Sequence, residues 1–345
     1  MRRLGILLPA AMLGVLLTAG PTLACGGLIG PNGAVNRLRT TTFAGYHDGV
    51  EHYVTSFQFA GGGGAFGSIT PLPAVPSSVV KGGDWTLQRL VRETEPLRLF
   101  AADAAAPAAS GAVELMKVRI DALDITVLKG GAADIGAWAK DHGFRLPPDA
   151  PEVLDFYAQR SPIFLAAAFD ANAAAARGQQ VGDGTPVHIT IPTARPWVPL
   201  RILALGKTGS EPVQADVYLM TDAAPALLPG PTGDNGIRLD HSAAATKSLL
   251  DDLRSDRGME WVPTNAWLTK VAVDGTASQL QYDLAIDATG ANAPSRVDAG
   301  FELPNVARMT QGLDFGRLAL ALGFAVVGIV GIYLMTRYRP GEALR

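Results

Sequence analysis

The sequence predicts an α+β fold built mostly from antiparallel β-sheet, with three or four short helices and one C-terminal transmembrane helix. Three observations carry that expectation. Runs of five to ten residues with period-two alternation recur along the chain, separated by Gly/Pro/Asp turns. No strand–helix–strand repeat appears, which argues against a parallel α/β sheet. Leu318–Met335 (LALALGFAVVGIVGIYLM) is an uncharged run of eighteen mostly apolar residues. At a helical rise it covers about 27 Å, close to the hydrocarbon thickness of a bilayer.

The N-terminus reads as a signal peptide over residues 1–24. Arg2-Arg3 forms a basic start, Leu4–Thr18 an apolar stretch broken by Pro9 and Gly14, and Thr22 and Ala24 have the small-residue spacing of a cleavage site. Cleavage after Ala24 makes Cys25 the first mature residue. The strand signals then begin. Thr40–His47 and Val50–Phe59 flank Asp48-Gly49, which suits a type I′ hairpin turn. Tyr53, Thr55, Phe57 and Phe59 fall on one face of the second strand, and His52 and Val54 on the other. Ala65–Thr70 continues as strand until Pro71 and Pro73. A helix capped by Asp84 follows, and Val113–Leu128 reads as one or two strands. Helices are predicted over Ala132–His142, with Gly143 closing it, and over Ala150–Arg160 after Pro147-Pro148.

Strands follow at Ile163–Phe169, Val187–Ile191, Leu200–Leu205 and Val213–Thr221. Pro225–Asn235 reads as a loop, and Ser242–Ser255 as a helix capped by Asp240. Trp267–Val273 and Gln279–Ile286 read as a second hairpin turning at Asp274-Gly275. The extracytoplasmic domain is thus expected over residues 25–287. Ile69-Thr70-Pro71 and Ile189-Thr190-Ile191-Pro192 resemble each other, which raises a two-lobe reading with a break near 146–186. Residues 288–314 read as a stalk and 336–345 as a cytoplasmic tail. Arg337, Arg339 and Arg345 against a single Glu342 hold that tail on the inner side, giving a type I orientation.

Setting aside the six arginines and one glutamate of the end segments leaves 23 basic and 31 acidic residues, a net charge of −8. That balance argues against nucleic acid as a partner. The lipid bilayer is the partner of Leu318–Met335. Cys25 is the only cysteine, so an internal disulfide and thiolate-cluster metal sites are excluded. It stays open between a free thiol, an intermolecular disulfide and lipidation; the residue three before it is Thr22, where a lipobox has an aliphatic residue.

Several letter patterns fail on their physics. Gly61–Gly64 leads into a strand, whereas a phosphate-cradling loop leads through Gly-Lys-Ser/Thr into a helix. His47, Asp48, Glu51 and His52 suggest a metal cluster, but in the predicted hairpin His47 pairs with Val50 and His52 with Gly45. The two imidazoles are then diagonal neighbours about 7 Å apart, with no third ligand. Ser78-Val79-Val80-Lys81 with Lys207-Thr208-Gly209 imitates the penicillin-binding signature, which needs the first pair on a helix. Proline before Ser78 and Gly82-Gly83 after Lys81 remove that helix. No Gly-x-Ser-x-Gly occurs, and His142, His188 and His241 read as structural. Trp197, Trp261 and Trp267 stand near prolines and are candidates for a recognition surface, with core packing as the alternative.

Ala24-Cys25-Gly26-Gly27 after the signal, followed by a strand into Ile69-Thr70-Pro71-Leu72-Pro73, resembles a bacterial family of exported proteins catalogued as a domain of unknown function. Ile191-Pro192-Thr193-Ala194-Arg195-Pro196-Trp197-Val198-Pro199 and Met259-Glu260-Trp261-Val262-Pro263 are similar to the actinobacterial form with a C-terminal anchor. The resemblance implies an envelope location and no catalytic residues or cofactor. The expectation is a non-catalytic envelope protein that binds a protein or cell-wall partner or supports envelope structure. An extracytoplasmic hydrolase or wall-modifying enzyme is the alternative.

Overall fold

Arg39–His47 (β4) and Val50–Gln58 (β5) form the hairpin that the alternation requires, with Asp48 at φ 50° and Gly49 at φ 77°. Its register places His47 opposite Val50 and His52 opposite Gly45. In this computed structural model the described residues are 22–23, 27–30, 33–34, 39–58, 66–94, 114–176 and 184–302. Residues 1–21 and Ala24 of the predicted signal segment, Cys25, the Gly61–Gly64 run and Leu318–Met335 lie outside them; Thr22–Leu23, near the end of that segment, are described. Among the described residues no helix is long and apolar enough to cross a membrane.

Numbered in chain order, the hairpin belongs to an eight-stranded sheet. Its other strands are β1 (Thr22–Leu23), β7 (Ser78–Lys81), β11 (Gly184–Pro192), β13 (Pro212–Thr221), β15 (Ile237–Ala244) and β16 (Trp267–Thr276). The order is β15-β16-β13-β4-β5-β11-β7, with β1 beside β4. Only the pairings of β4 with β13 and with β1 are parallel, so the sheet is mixed. A second, wholly antiparallel sheet runs β3-β2-β6-β10-β9-β8. Its strands are β2 (Gly27–Gly30), β3 (Gly33–Ala34), β6 (Phe66–Leu72), β8 (Glu114–Ile120), β9 (Leu123–Lys129) and β10 (Ile163–Phe169). A small third sheet joins β12 (Trp197–Val198), β17 (Leu284–Asp287) and β14 (Ala226–Leu228).

Side-chain alternation sorts these strands into layers. Tyr53, Ile189, Val217 and Val271 of the first sheet meet Leu72, Ile125, Val127 and Leu165 of the second in one shared apolar core. The opposite face of the first sheet, through Phe43, Val54, Tyr218 and Leu268, is covered by α1 (Thr86–Thr94) and α5 (Lys247–Ser255). The opposite face of the second, through Ile69, Leu128, Phe164 and Ala166, is covered by α2 (Ala132–Asp141) and α3 (Ala150–Ala158). Each helix supplies an apolar stripe: Leu87, Leu90 and Val91 on α1; Leu249, Leu250 and Leu253 on α5.

The α+β class with mostly antiparallel sheet is what the alternation predicts, and several elements differ in detail. The second hairpin does not form. β16 runs straight through Asp274-Gly275 and pairs with β13 as far as Thr276, while β17 joins the third sheet. Gly275 serves another need there: a Cβ on it would stand 2.8 Å from the Cα of Gly236, so two backbones pass where only glycine fits. The predicted helix over Ser242–Ser255 is part strand. β15 continues to Ala244, and α5 starts at Lys247 with Thr246 as its N-cap, accepting from Leu249 N at 3.2 Å. Leu200–Leu205 is not a strand but a 3₁₀ turn, Arg201–Ala204. There are five described α-helices, since α4 (Ala171–Ala176) adds one not predicted. The 146–186 region carries α3, β10 and α4. The two Ile-Thr-Pro-type stretches fall on β6 and β11, in different sheets that share one core. Residues 288–302 fold back on the domain: Asp283 N donates to Ala299 O at 3.0 Å, Ala299 is buried, and Phe301 stacks on Tyr282.

Asp283, 0% exposed, joins these parts. Its carboxylate accepts from Tyr157 Oη on α3 at 2.8 Å, from the backbone N–H groups of Leu200 and Arg201 at 2.8 and 3.0 Å, and from Arg160 Nη2. Burial and the neighbouring carboxylate push the Tyr157 phenol well above its ordinary range. Asp283→Asn keeps the shape and removes the charge facing the buried Arg160. It is expected to destabilise the domain by about 3–5 kcal/mol, read as a lowered urea midpoint at unchanged slope.

Candidate functional site

The concentration of unusual groups lies on β5 and the strands beside it, where successive side chains point to opposite faces. His52 lies on the helix-covered face and Glu51 on the face toward the shared core. His188 on β11 is the diagonal neighbour of His52, and His52 Nδ1 lies 3.0 Å from His188 Nε2, a hydrogen-bond distance. His52 stacks flat on Trp261, with centroids 3.9 Å apart and planes 5° apart. The indole reaches that position because residue 45 is glycine: a Cβ there would be 2.1 Å from Trp261 Cη2. His188 is 5% exposed and His52 half-buried.

Desolvation dominates the chemistry of both rings. Burial, then the neighbouring His188 and His47, pushes His52 down to about 3. Burial lowers His188 to about 4 against the opposing pull of the Glu260 carboxylate. Both imidazoles are therefore neutral at pH 7, so one ring nitrogen donates and the other accepts.

The segment that carries Trp261 also carries Asp256, 4% exposed. Asp256 accepts from Asp84 N and Trp85 N, each at 3.1 Å, and from Thr86 Oγ1 at 2.7 Å, closing the N-terminus of α1 from outside its own chain segment. The predicted cap, Asp84, instead pairs with Arg257 at 3.1 Å.

Glu51 is 0% exposed, and neither carboxylate oxygen has a hydrogen-bond partner among the described residues. Its cross-strand neighbours are Tyr46 and Ile191. Burial pushes its carboxyl up to about 8, so it is held as the neutral acid at pH 7. A further buried charge, Lys270, lies 3.3 Å from Asp216 and 5.6 Å from the Tyr218 ring centroid.

The three tryptophans do not share one surface. Trp197 is 3% exposed and packs beside Tyr157 and Arg160. Trp261 lies on the helix-covered face. Trp267, whose Nε1 donates to Ser242 Oγ at 2.9 Å, precedes Leu268 and so points to the other face of β16. His47 turns to Asp222 at 2.7 Å, away from His52, and no group of three or more metal-ligating side chains occurs among the described residues. Ser78 and Lys81 are on a strand, with Lys81 paired to Asp121 at 2.6 Å. The contact of His52 with His188 was not legible in sequence, because 136 residues separate them.

Residues 21–225 match the model of the DUF2330 family, described as an uncharacterized protein conserved in bacteria. The chain belongs to that family. The match takes in the second sheet and ends four residues after β13, before α5 and the outer strands β15 and β16. No curated protein matches the chain. Among solved structures, baculovirus P35 is similar over 73% of this chain and 96% of its own, at 10% identity and a TM-score of 0.38. A mutated baculovirus P35 after caspase cleavage covers 74% and 98%, at 7% identity and a TM-score of 0.36.

Glu51 provides a test of this arrangement. Its folded value of about 8 lies above the unfolded carboxyl value of 4.5. Folding therefore takes up a proton between those values, and the stability present below pH 4.5 is lost as pH rises through about 8. Glu51→Leu removes that loss. The variant is expected to gain about 2–4 kcal/mol over the parent at pH 7, and the gap to widen from pH 5 to pH 8 in urea unfolding. A gap independent of pH would refute the assignment.

Proposed function

We propose that this DUF2330 protein is a single-pass cell-envelope protein whose extracytoplasmic domain is a non-catalytic binding or structural module. The location rests on sequence: a cleavable signal over residues 1–24, the apolar run Leu318–Met335 and the arginines that follow it. The bilayer is one partner through that run, and an envelope protein or a cell-wall component is the other. Cys25 becomes the N-terminal residue of the exported chain.

The reading of the domain rests on one observation. Its buried carboxylates Asp283 and Asp256 are held in hydrogen-bond sets that tie together elements distant in sequence. Groups fixed in this way build a rigid platform and are not free to turn toward a substrate. One feature favours the alternative, an extracytoplasmic hydrolase or wall-modifying enzyme: Glu51 has the raised carboxyl that general acids use. With no exposed surface, its carboxyl meets no substrate in this fold.

The full chain is expected in the membrane fraction, and a chain ending at Glu302 in the extracytoplasmic soluble fraction. Intact mass of the mature protein is expected to begin at Cys25. Cross-linking of the full chain in membranes is expected to trap a defined envelope partner. Failure to trap one, together with turnover of cell-wall fragments by the purified domain, would overturn the non-catalytic reading.

A further inference from the structure

We propose that His52, His188 and Trp261 form an acid-released latch that holds the α1–α5 cover on the eight-stranded sheet. The inference is independent of the envelope reading and rests on three contacts. First, the 3.0 Å contact between His52 Nδ1 and His188 Nε2 works only while one of the two nitrogens is an acceptor. One added proton still leaves the neutral ring as acceptor; when both rings are protonated both nitrogens are donors, so the bond is lost and two cations face each other. Second, His52 is stacked on Trp261 at 3.9 Å, so movement of His52 removes its stacking partner and leaves the indole on Phe43 alone among aromatic rings. Third, Trp261 lies on the short segment between α5 and β16, whose first residue, Asp256, closes α1.

Other contacts of the segment are apolar or lie with the helices. Met259 and Val262 reach into the apolar layer under the helices, and Arg254 Nη1 donates to Pro263 O at 2.7 Å. Gly258 passes so close to the ring that a Cβ would stand 3.2 Å from His188 Nδ1, and its φ of 76° holds the turn. A shift of His188 is therefore transmitted directly to the backbone two residues from Asp256.

The charges of α1 and α5 pair among themselves, Arg89 with Glu93 and Asp252, and Asp251 with Lys247 and Arg254. β4 presents His47, which is turned to Asp222. The segment itself presents Glu260 and Asp256, the latter occupied by α1, and Arg257, paired with Asp84. β7 presents Val80 opposite His188, with no charge. Glu51 is on the opposite face of the sheet. Only Glu260 is thus placed to favour a protonated ring, and burial outweighs it.

The direction with pH follows from the same burial. Both folded values, about 3 and about 4, lie below the ordinary 6.5. The stability from the neutral pair is complete above pH 6.5 and is lost as pH falls toward 4. An opened segment whose histidines titrate normally is favoured at pH 5 by about twentyfold for each ring released, relative to pH 7.

The test is amide hydrogen exchange on the full chain at pH 7 and pH 5, corrected for intrinsic exchange rate. Protection over residues 84–94 and 256–262 is expected to fall at least about twentyfold at pH 5. β6, β9 and β10 are expected to keep theirs. In the double variant His52→Gln/His188→Gln the difference between the two segments and the second sheet is expected to vanish. Acid-induced loss spread evenly over all layers in the parent protein would overturn the proposal, and so would an undiminished local response in a folded double variant. The first outcome needs no variant, so a variant that does not fold leaves the proposal open to refutation.

Discussion

Asp283 is the constraint on which the assembly of the layers depends. It stands at the start of the third sheet, yet its partners come from α3 through Tyr157 and Arg160, and from the 3₁₀ turn through the N–H groups of Leu200 and Arg201. Tyr157 Oη in turn accepts from Ile202 N at 2.8 Å, so one carboxylate and one phenol together satisfy three successive backbone donors. Those donors explain why the apolar stretch after Pro199 turns instead of pairing: its hydrogen bonds go to side chains. Arg160 is enclosed by Phe156, Tyr157 and Trp197 and donates also to the Asp298 carbonyl. The segment after β17 is thereby tied to the same knot.

A second device of this kind operates on the other side of the molecule. Asp256 satisfies the start of α1 across 170 residues of chain, and Gly83 lets it approach, since a Cβ there would be 2.1 Å from Oδ2. Helix α1 therefore has its N-terminal donors met by the segment that follows α5, the helix it packs against. Above their apolar layers the two covers are tied differently: α3 by a buried ion pair and phenol, α1 by a capping carboxylate. The proposed latch belongs to the α1–α5 cover alone, since the histidine pair lies on that face of the first sheet.

Glu51 and His52 are adjacent in sequence and face opposite layers. One is an acid kept neutral by apolar surroundings, the other a base kept neutral by the same cause. Each resists taking the charge that water would give it, at opposite ends of the pH scale. Read as letters, His47, Asp48, Glu51 and His52 suggest shared chemistry. Strand geometry separates them: Glu51 points into the core, His47 turns to Asp222, and His52 finds a partner on β11.

The local code was enough where the information is local. The Asp48-Gly49 turn, the register of its hairpin, the strands around Ile163–Phe169 and Val213–Thr221 and the helices after Gly131 and Asp149 follow from alternation, glycine and proline placement and capping. Asp274-Gly275 repeats the turn dipeptide but not the turn, because Gly236 packs against it and β13 extends its ladder. Ser242–Ala244 has residues that tolerate helix, but they pair with Thr269, Leu268 and Trp267 of β16. The class of fold, the acidic balance, the lone cysteine and the anchor-like run are properties of the sequence by itself. Which glycine turns and which admits a neighbour, which acid caps a distant helix and which histidines meet were decided only by tertiary structure. The reason is that each depends on groups more than a hundred residues away or on the other face of a sheet, where spacing along the chain carries no information.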